Sequence, residues 1–277
     1  MLAGTIGERN VSRPRALQAA ADYIGQTWRD QDYEVVPLDY QVDGVRCANL
    51  EITRTGTACP RDILLIGAHY DSVSGSPGAN DNASGIAALL EISAHCARIA
   101  PASTVRFVAF VNEEPPFFFR HEMGSLVYAR AARKRGDNIR LMMSLEMLGC
   151  YRDEPGSQQY PPLFRHFFPS RGNFLAFVSN LRSRAALRRA VRAFRAHSDF
   201  PVEHLSTLAI VPGVAWSDHL SFWRQGYRAL MVTDTAFYRY SQYHSPEDTP
   251  DKLDYASFAR VTAGLQRAIV DLADDGL

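Results

Sequence analysis

The segment DILLIGAHYDSVSGSPGANDNASGIAALLEISAHCARI, residues 62–99, decides the fold of this chain. It opens with an apolar run that ends at His69, crosses a loop rich in glycine, serine and asparagine, and closes with an apolar helical pattern. A continuous apolar run of this length is typical of a parallel strand that is buried on both faces. The segment therefore predicts one strand–loop–helix unit of an α/β sheet.

The alternation of strands and helices continues on both sides of this unit. Short apolar runs predict strands at 33–38, 46–52, 104–114, 139–147, 173–180, 200–208 and 227–235. Apolar residues at helical spacing predict helices at 17–28, 123–136, 182–195, 217–225 and 258–272. We therefore predict an α/β fold, a three-layer α/β/α sandwich with a mixed, mostly parallel central sheet. Because no repeat or linker interrupts the pattern, we predict a single domain over residues 1–277.

Composition excludes several classes of protein. The 277 residues are 46% hydrophobic, which is ample for a core, and 30 Lys and Arg balance 30 Asp and Glu. This neutral balance argues against nucleic acid as a partner. No apolar stretch is long enough to cross a membrane, and the first 16 residues lack the apolar core of a signal peptide. We expect a soluble protein, leaving open its compartment, a preceding export leader and its oligomeric state.

The four cysteines do not define a structural element. They are scattered without CxxC spacing, which argues against a structural zinc site and defines no disulfide framework.

Two catalytic motifs are missing from the sequence. HEMGS at residues 121–125 has serine where HExxH requires its second histidine, and the sequence contains no GxSxG. The helical zinc-protease motif is therefore absent, and a serine hydrolase is less favoured.

Acidic and histidine side chains occur where the predicted strands end. They are His69 and Asp71 with Asp81 after the loop, Glu113 and Glu114, Glu146, and Asp234 followed by His244. Functional groups in open α/β sheets gather beyond the carboxyl ends of the strands. Several carboxylates in one cleft would repel each other and stay partly protonated unless a cation is present. Imidazole and carboxylate donors without thiolates favour zinc, ahead of manganese or cobalt.

The adjacent pair Glu113 and Glu114 lies at one of these strand ends. Neighbouring residues on a strand point to opposite faces, so the pair is not explained by packing alone. At a strand end, one carboxylate can bind a metal while the other reaches the attacking water. Hydrolysis requires this arrangement, because a free carboxylate must take the proton of that water.

Five separated motifs occur together, namely GAHYDS with GANDNASG, NEEPPFF with MGS, SLEMLGCY, SDHLSFW and YHSPEDT. In this order they resemble the M28 zinc peptidases, the family of bacterial aminopeptidases and glutaminyl cyclases. The resemblance covers nearly the whole chain, and five ordered motifs are far more specific than any one of them. It implies the zinc-exopeptidase version of the α/β/α sandwich, which is phosphorylase/hydrolase-like.

The resemblance also implies a role for each site residue. His69, Asp81 and Glu146 would bind one zinc ion. Asp81, Glu114 and His244 would bind the other, so Asp81 would bridge the two. Glu113 would be the general base and acid, Asp71 would orient His69, and a cis peptide bond would follow Asp81.

One position departs from the pattern. Many aminopeptidases of the family have aspartate where this chain has Glu146. Single-zinc glutaminyl cyclases use an aspartate, a glutamate and a histidine, which here are Asp81, Glu114 and His244. The presence of His69 favours two zinc ions, and one ion is the alternative.

Three further residues are weaker candidates. Asp218 and His219 either cap and satisfy a short helix or help to shape the site. Tyr243, beside His244, is a candidate donor to the oxyanion that forms during hydrolysis. The aromatic residues after NEE are predicted to line the substrate pocket.

The predicted function is that of a zinc-dependent exopeptidase, an aminopeptidase that removes N-terminal residues from peptides through a water shared by the metals. Two alternatives stay open. One is a single-zinc glutaminyl cyclase-type acyltransferase, and the other is a non-catalytic domain of the same fold. The sequence does not define which substrate side chain is preferred.

Overall fold

A computed structural model of the chain describes residues 1–162 and 164–275. The strands are β1 Val36–Val42, β2 Val45–Arg54, β3 Cys59–His69, β4 Ser103–Phe110, β5 Asn138–Glu146, β6 Leu175–Asn180, β7 Val202–Thr207 and β8 Ala229–Thr233. The α-helices are α1 Pro14–Asp30, α2 Gly85–Cys96, α3 Gly124–Arg135, α4 Arg184–His197, α5 His219–Arg224 and α6 Tyr255–Asp274. The predicted fold class is confirmed, while the single domain over 1–277 stays a prediction.

The eight strands form one mixed sheet in the order β1-β2-β4-β3-β5-β8-β6-β7. The central pairs β4 with β3, β3 with β5 and β5 with β8 are parallel, and so is β6 with β7. β1, β2 and β4 pair antiparallel, as do β6 and β8. Four parallel strands, β4, β3, β5 and β8, therefore deliver their carboxyl ends to the same edge of the sheet.

The two faces of the sheet carry separate cores, as period-two alternation along a buried strand requires. On β3, Leu64 and Ile66 join the larger core with residues of α1, α2, α4 and α6, while Ile63 and Leu65 join the smaller core with residues of α3 and α5. These two helical layers make the sandwich. Among the described residues, no helix is both long enough and apolar enough to cross a membrane.

One predicted strand is shifted. The strand expected at 33–38 begins at Val36 and continues to Val42, where Asp43 and Gly44 form the turn of a hairpin with β2. Both turn residues have positive φ, 49° and 79°, which is the conformation that an Asp-Gly hairpin turn adopts. This turn sets the register from Val42 opposite Val45, and so determines which residues of β1 are paired.

Candidate metal centre

Asp81 lies between two groups of potential metal ligands. Its loop returns from β3 to the start of α2, so the buried carboxylate stands beside the end of β3. Oδ1 is 3.4 Å from Nε2 of His69, and Oδ2 is 3.2 Å from Nε2 of His244. The peptide bond from Asp81 to Asn82 is cis, which confirms that part of the prediction. Each oxygen of one carboxylate thus faces a different imidazole.

The first group consists of His69, Asp81 and Glu146, at the ends of β3, the following loop and β5. Nε2 of His69 is 3.5 Å from Oε2 of Glu146 and has no hydrogen-bond partner among the described residues. Donor atoms about 2.0–2.1 Å from a tetrahedral zinc lie roughly 3.3–3.5 Å apart. The separations of 3.4 and 3.5 Å from His69 therefore match the edges of a zinc tetrahedron.

The second group consists of Asp81, Glu114 and His244. Nε2 of His244 is 3.1 Å from Oε2 of Glu114, close to its distance from Asp81. His244 is partly exposed, whereas Asp81 and Glu114 are buried. Both groups thus offer one imidazole nitrogen and two carboxylate oxygens, a donor set that suits zinc. In each group the donor atoms lie within 4.8 Å of one another.

The electrostatics of the two groups are those of a site that requires a cation. Burial lowers the pKa of His244, but hydrogen bonds to Asp81 and Glu114 outweigh this effect and raise the pKa to about 10. Burial, reinforced by Asp81, raises the pKa of Glu114 to about 7. Burial also raises the pKa of Glu146. A divalent cation among these groups would favour the ionised carboxylates and the neutral imidazoles that metal binding needs.

Glu113 stands beside the first group without belonging to either. Its Oε2 is 3.8 Å from Nε2 of His69, and its side chain is buried. Burial raises the pKa of Glu113 well above its ordinary value, with Glu146 and Glu114 adding to the effect and His69 opposing it. The structure therefore brings together a set of ligands and one neighbouring free carboxylate.

Asp71 connects His69 with the acidic pair. Its Oδ1 lies 3.5 Å from Nδ1 of His69, which is longer than an ordinary hydrogen bond. Its carboxylate oxygens accept hydrogen bonds from the backbone amides of Glu113 and Glu114, at 3.2 and 3.1 Å. Asp71 thus faces Nδ1 of His69, on the side opposite the Nε2 atom that faces the first group of ligands. It also fixes the backbone of Glu113 and Glu114.

The loop that carries Asp71 and Asp81 is held by Arg9, a residue that the sequence did not single out. Arg9 is fully buried, and its guanidinium donates to the carbonyls of Tyr70, Pro77 and Gly78. These three carbonyls lie at the two ends of the loop, so one side chain sets their separation. Burial lowers the pKa of Arg9 to about 10, while Asp71 opposes the effect, and the group stays charged at neutral pH.

A second support, Asp248, was also missed, although it lies in the motif YHSPEDT. Its carboxylate accepts hydrogen bonds from the backbone amides of Asn80 and Asp81, at 2.8 and 3.1 Å, and from Tyr240. Ser217, within SDHLSFW, donates to Oε2 of Glu146 at 2.7 Å. The motifs contained these residues, but no spacing rule indicated their partners.

The three weaker candidates take different positions. Asp218 is fully buried, and burial raises its pKa to about 7. His219 donates from Nε2 to the carbonyl of Val214, packs edge-on against Trp223 and belongs to neither group of ligands. Tyr243 stacks on His244 with ring centroids 3.8 Å apart.

A cavity of about 490 Å³ opens beside the two groups of ligands. Its wall includes Asp81, Glu113 and His244, and continues into apolar and aromatic side chains such as Trp216 and Phe237. Of the aromatic residues after NEE, Phe118 and Phe119 line it, whereas Phe117 packs against the larger core. The volume is typical of a pocket for a small-molecule-sized group.

Comparison with known proteins identifies relatives over most of the chain. The model of peptidase family M28 matches residues 49–269. The chain is 38% identical over 273 residues to uncharacterized protein YfbL of Escherichia coli, covering 95% of this chain and 83% of that protein. It is 27% identical over 232 residues to the probable aminopeptidase YDR415C of Saccharomyces cerevisiae, covering 79% of this chain and 55% of that protein.

Solved structures share the fold. The zinc aminopeptidase BSAP from Bacillus subtilis superposes with a TM-score of 0.64 at 21% identity, over 84% of this chain and 51% of that one. The glutaminyl cyclase of Fimbriiglobus ruber gives a TM-score of 0.70 at 21% identity, over 96% and 91%. These likenesses agree with the mixed sheet and its helical layers. The match to the family model decides the assignment, and the chain belongs to peptidase family M28.

Proposed function

We propose that this chain is a zinc-dependent exopeptidase, an aminopeptidase that holds two zinc ions and uses Glu113 as its general base. One observation carries the proposal. Two complete groups of ligands share Asp81, and the carboxylate of Glu113 stands 3.8 Å from His69 while belonging to neither group. Membership of peptidase family M28 supports hydrolysis of peptide bonds, and the relatives named as aminopeptidases support action at the N-terminus.

The site residues would have three roles, which are metal binding, proton transfer and oxyanion stabilisation. His69, Asp81 and Glu146 would hold one zinc ion, and Asp81, Glu114 and His244 the other. Zinc, when bound, supplies a Lewis acid that polarises the scissile carbonyl and lowers the pKa of the attacking water. Glu113 accepts the proton of that water and later donates it to the departing amine. Tyr243 would donate a hydrogen bond to the developing oxyanion, a role that its position on the cavity wall beside His244 supports.

The charge of the cavity wall favours the N-terminus of a peptide. Within the described part of the chain, no Lys or Arg lines the cavity, while Asp81, Glu113, Glu114, Glu146 and Glu203 do. An enzyme acting at the other end of a peptide needs a cation, usually arginine, to bind the terminal carboxylate. The wall offers no such side chain, and its acids suit a free amino group.

A second candidate function is that of a single-zinc glutaminyl cyclase-type acyltransferase. The group formed by Asp81, Glu114 and His244 is complete without His69 or Glu146, which is the observation that favours it. The fold is shared with a glutaminyl cyclase. The geometry around His69 makes the two-zinc peptidase the stronger proposal.

A panel of aminoacyl arylamides, with zinc per chain measured in parallel, tests the proposal. We expect cleavage by the zinc-loaded protein, loss of activity on incubation with a chelator, and recovery when zinc is added back. We also expect about two zinc ions per chain. A peptide with N-terminal glutamine is assayed alongside for cyclisation.

Two outcomes would contradict the proposal. One bound zinc per chain, with cyclisation of glutamine and no cleavage of arylamides, would establish the cyclase instead. Absence of both activities in zinc-loaded protein would establish a non-catalytic domain.

A further inference from the structure

The irregular segment 150–174 supplies much of the apolar wall of the cavity. Its contributions are Gln158, Tyr160, Pro161, Phe164, Phe168 and Phe174. Phe164 and Phe168 stack at 6.3 Å between ring centroids, and Tyr160 stacks on Phe168 at 5.8 Å. Apart from the short turn Phe164–His166, no helix or strand is assigned to the described residues of this segment. The segment also pairs with itself, since the backbone amides of Arg152 and Gly156 donate to the carbonyls of Gly172 and Ser170, at 2.9 Å each. Contacts made from outside the segment attach it to the rest of the fold.

Arg239 makes these contacts at three points. Its Nη1 donates to the carbonyls of Cys150 and Phe174, at 3.1 and 2.9 Å, which are the two ends of the segment. Its Nε donates to Oε1 of Gln158 at 2.9 Å, within the segment. The guanidinium also lies over the ring of Phe174, 4.5 Å from its centroid. One side chain thus fixes both ends and an intermediate point of the wall.

The surroundings of Arg239 are shaped for a guanidinium. The side chain is 6% exposed, Asp234 favours its charge, and among the described residues its Nη2 has no hydrogen-bond partner. The backbone of Gly172 approaches so closely that a Cβ there would lie 2.7 Å from Nε of Arg239. Lysine offers a point charge without the planar fork, and it would reach only one of these acceptors with good geometry.

Arg239 itself does not line the cavity and belongs to neither group of metal ligands. Gln158 connects it to the cavity, because Gln158 lines the wall and also donates to Oγ1 of Thr235 at 3.0 Å. Thr235 lies between β8 and the segment that carries Tyr243 and His244. The cavity wall is therefore hydrogen-bonded to the stretch of chain after β8, which also carries the ligand candidate His244.

We propose that Arg239 is a positioning residue for substrate specificity. It holds the aromatic wall in place, so that the enzyme selects peptides whose N-terminal side chain is large and apolar. A stacked wall of Tyr160, Phe164 and Phe168 gains apolar contact area from a large side chain and almost none from a methyl group. This inference rests on the proposed aminopeptidase function, whose substrate class it specifies.

The test compares phenylalanyl and alanyl arylamides with Arg239→Lys and Arg239→Met. We expect KM for the phenylalanyl substrate to rise about tenfold or more in both variants. We expect kcat for both substrates, KM for the alanyl substrate and zinc per chain to stay within about twofold of wild type. Arg171→Lys, at an exposed arginine of the same segment, is the matched control and should leave all these values unchanged.

Gln158→Leu provides a second variant, should the arginine variants fail to fold, which keeps Arg239 and removes the hydrogen bonds of Gln158 to Arg239 and Thr235. We expect it to raise KM for the phenylalanyl substrate selectively. Equal losses for both substrates, unchanged KM in a folded variant, or a wild-type preference for the alanyl substrate would each overturn the inference. A wild-type protein that cleaves neither arylamide would contradict the proposed function, which separates the two failures.

Discussion

Glu113 and Glu114 are neighbours in sequence with different surroundings. The carboxylate of Glu114 lies 3.1 Å from His244 and belongs to the second group of ligands. The carboxylate of Glu113 lies beside His69 and belongs to no group. Both backbone amides are fixed by Asp71. The two side chains therefore differ in role although the sequence presents them as a simple pair.

Replacing Glu113 with glutamine should separate catalysis from metal binding. Glutamine has nearly the same size but cannot accept the proton of the attacking water, so we expect kcat to fall by about 10²–10⁴. Zinc per chain should not change, because Glu113 belongs to neither group of ligands. Glu91→Gln, on the exposed face of α2, is the control and should keep full activity. An unchanged rate in Glu113→Gln would contradict the proposed role.

Three substitutions should distinguish the two groups of ligands by the zinc that they retain. Asp81→Asn weakens both groups, because each oxygen of Asp81 faces a different histidine, and we expect most zinc to be lost. Glu146→Gln and Glu114→Gln each weaken one group, and we expect about one ion to remain. Zinc per chain is measured by atomic emission after dialysis against a weak chelator.

The control for this series is Asp30→Asn, at an exposed position on α1, which should retain as much zinc as wild type. Equal retention of zinc by Asp81→Asn and Glu146→Gln would contradict the assignment of Asp81 as a shared ligand.

The ligand candidates could be predicted from the sequence, but their supports could not. His69 and Glu146 end strands, and the carboxyl ends of parallel strands meet at one edge, so their proximity follows from the fold. Arg9 acts on carbonyls 61 to 69 residues away, and nothing in its local sequence indicates such partners. Backbone carbonyls are present at every residue, so no pattern of residue types marks the ones that bind an arginine.

Helix α5 begins beside the site, and its first residue has an unusual environment. His219 is fully buried, and this burial lowers its pKa to about 4, although the hydrogen bond to Val214 opposes the shift. In the unfolded chain the pKa of histidine is about 6.5. Between these values the unfolded chain binds a proton that the folded chain does not. The contribution of His219 to stability is therefore complete above pH 6.5 and is lost as the pH falls toward 4.

This linkage predicts a pH-dependent difference between wild type and His219→Gln. The free energy of unfolding of the zinc-free wild type, relative to that of the variant, should fall by about 2 kcal/mol between pH 7.5 and pH 5. Urea denaturation of both proteins across this range measures it. His121→Gln, at an exposed side chain, serves as control and should show no such trend. A constant difference across the range would show that His219 ionises alike in both states.

The elements of the central sheet were easier to predict than its edges. The run at residues 63–68 has no polar side chain, as expected for a strand that is covered on both faces. The antiparallel insertion of β8 beside β6 leaves no comparable signal, because the direction of a strand does not change its side-chain period. The described residues of the irregular segment 150–174 include only one short turn, and the anchoring of this segment by Arg239 depends on tertiary contacts that no local pattern marks.

The molecule as a whole concentrates buried acids at one sheet edge. Glu113, Glu114, Glu146 and Asp218 are all buried there, and burial raises the pKa of each. Concentrating carboxylates in this way disfavours the folded state at neutral pH, where the unfolded chain would ionise them freely. A cation bound among these side chains would offset this cost.

Zinc should therefore stabilise the whole protein. Binding to the folded state alone adds about 2.7 kcal/mol per site when free zinc is 100 times Kd. We expect the midpoint of thermal unfolding to fall on chelation and to return when zinc, but not magnesium, is added. Asp81→Asn should show little response to zinc. A midpoint unaffected by chelation in the wild type would indicate that the folded protein does not hold the metal.

The shared carboxylate of Asp81 has a consequence for how the centre is loaded. If two ions use one side chain, neither binding equilibrium is independent, and an ion at one group changes affinity at the other. Thermodynamic reciprocity makes this factor identical in both directions. A substitution that weakens zinc binding at the group with His69 would thus also change zinc occupancy at the group with His244, although it contacts no ligand of that second ion. The two ions would therefore bind as a coupled pair. A dissociation constant for one ion has a defined meaning only when the occupancy of the other group of ligands is also stated.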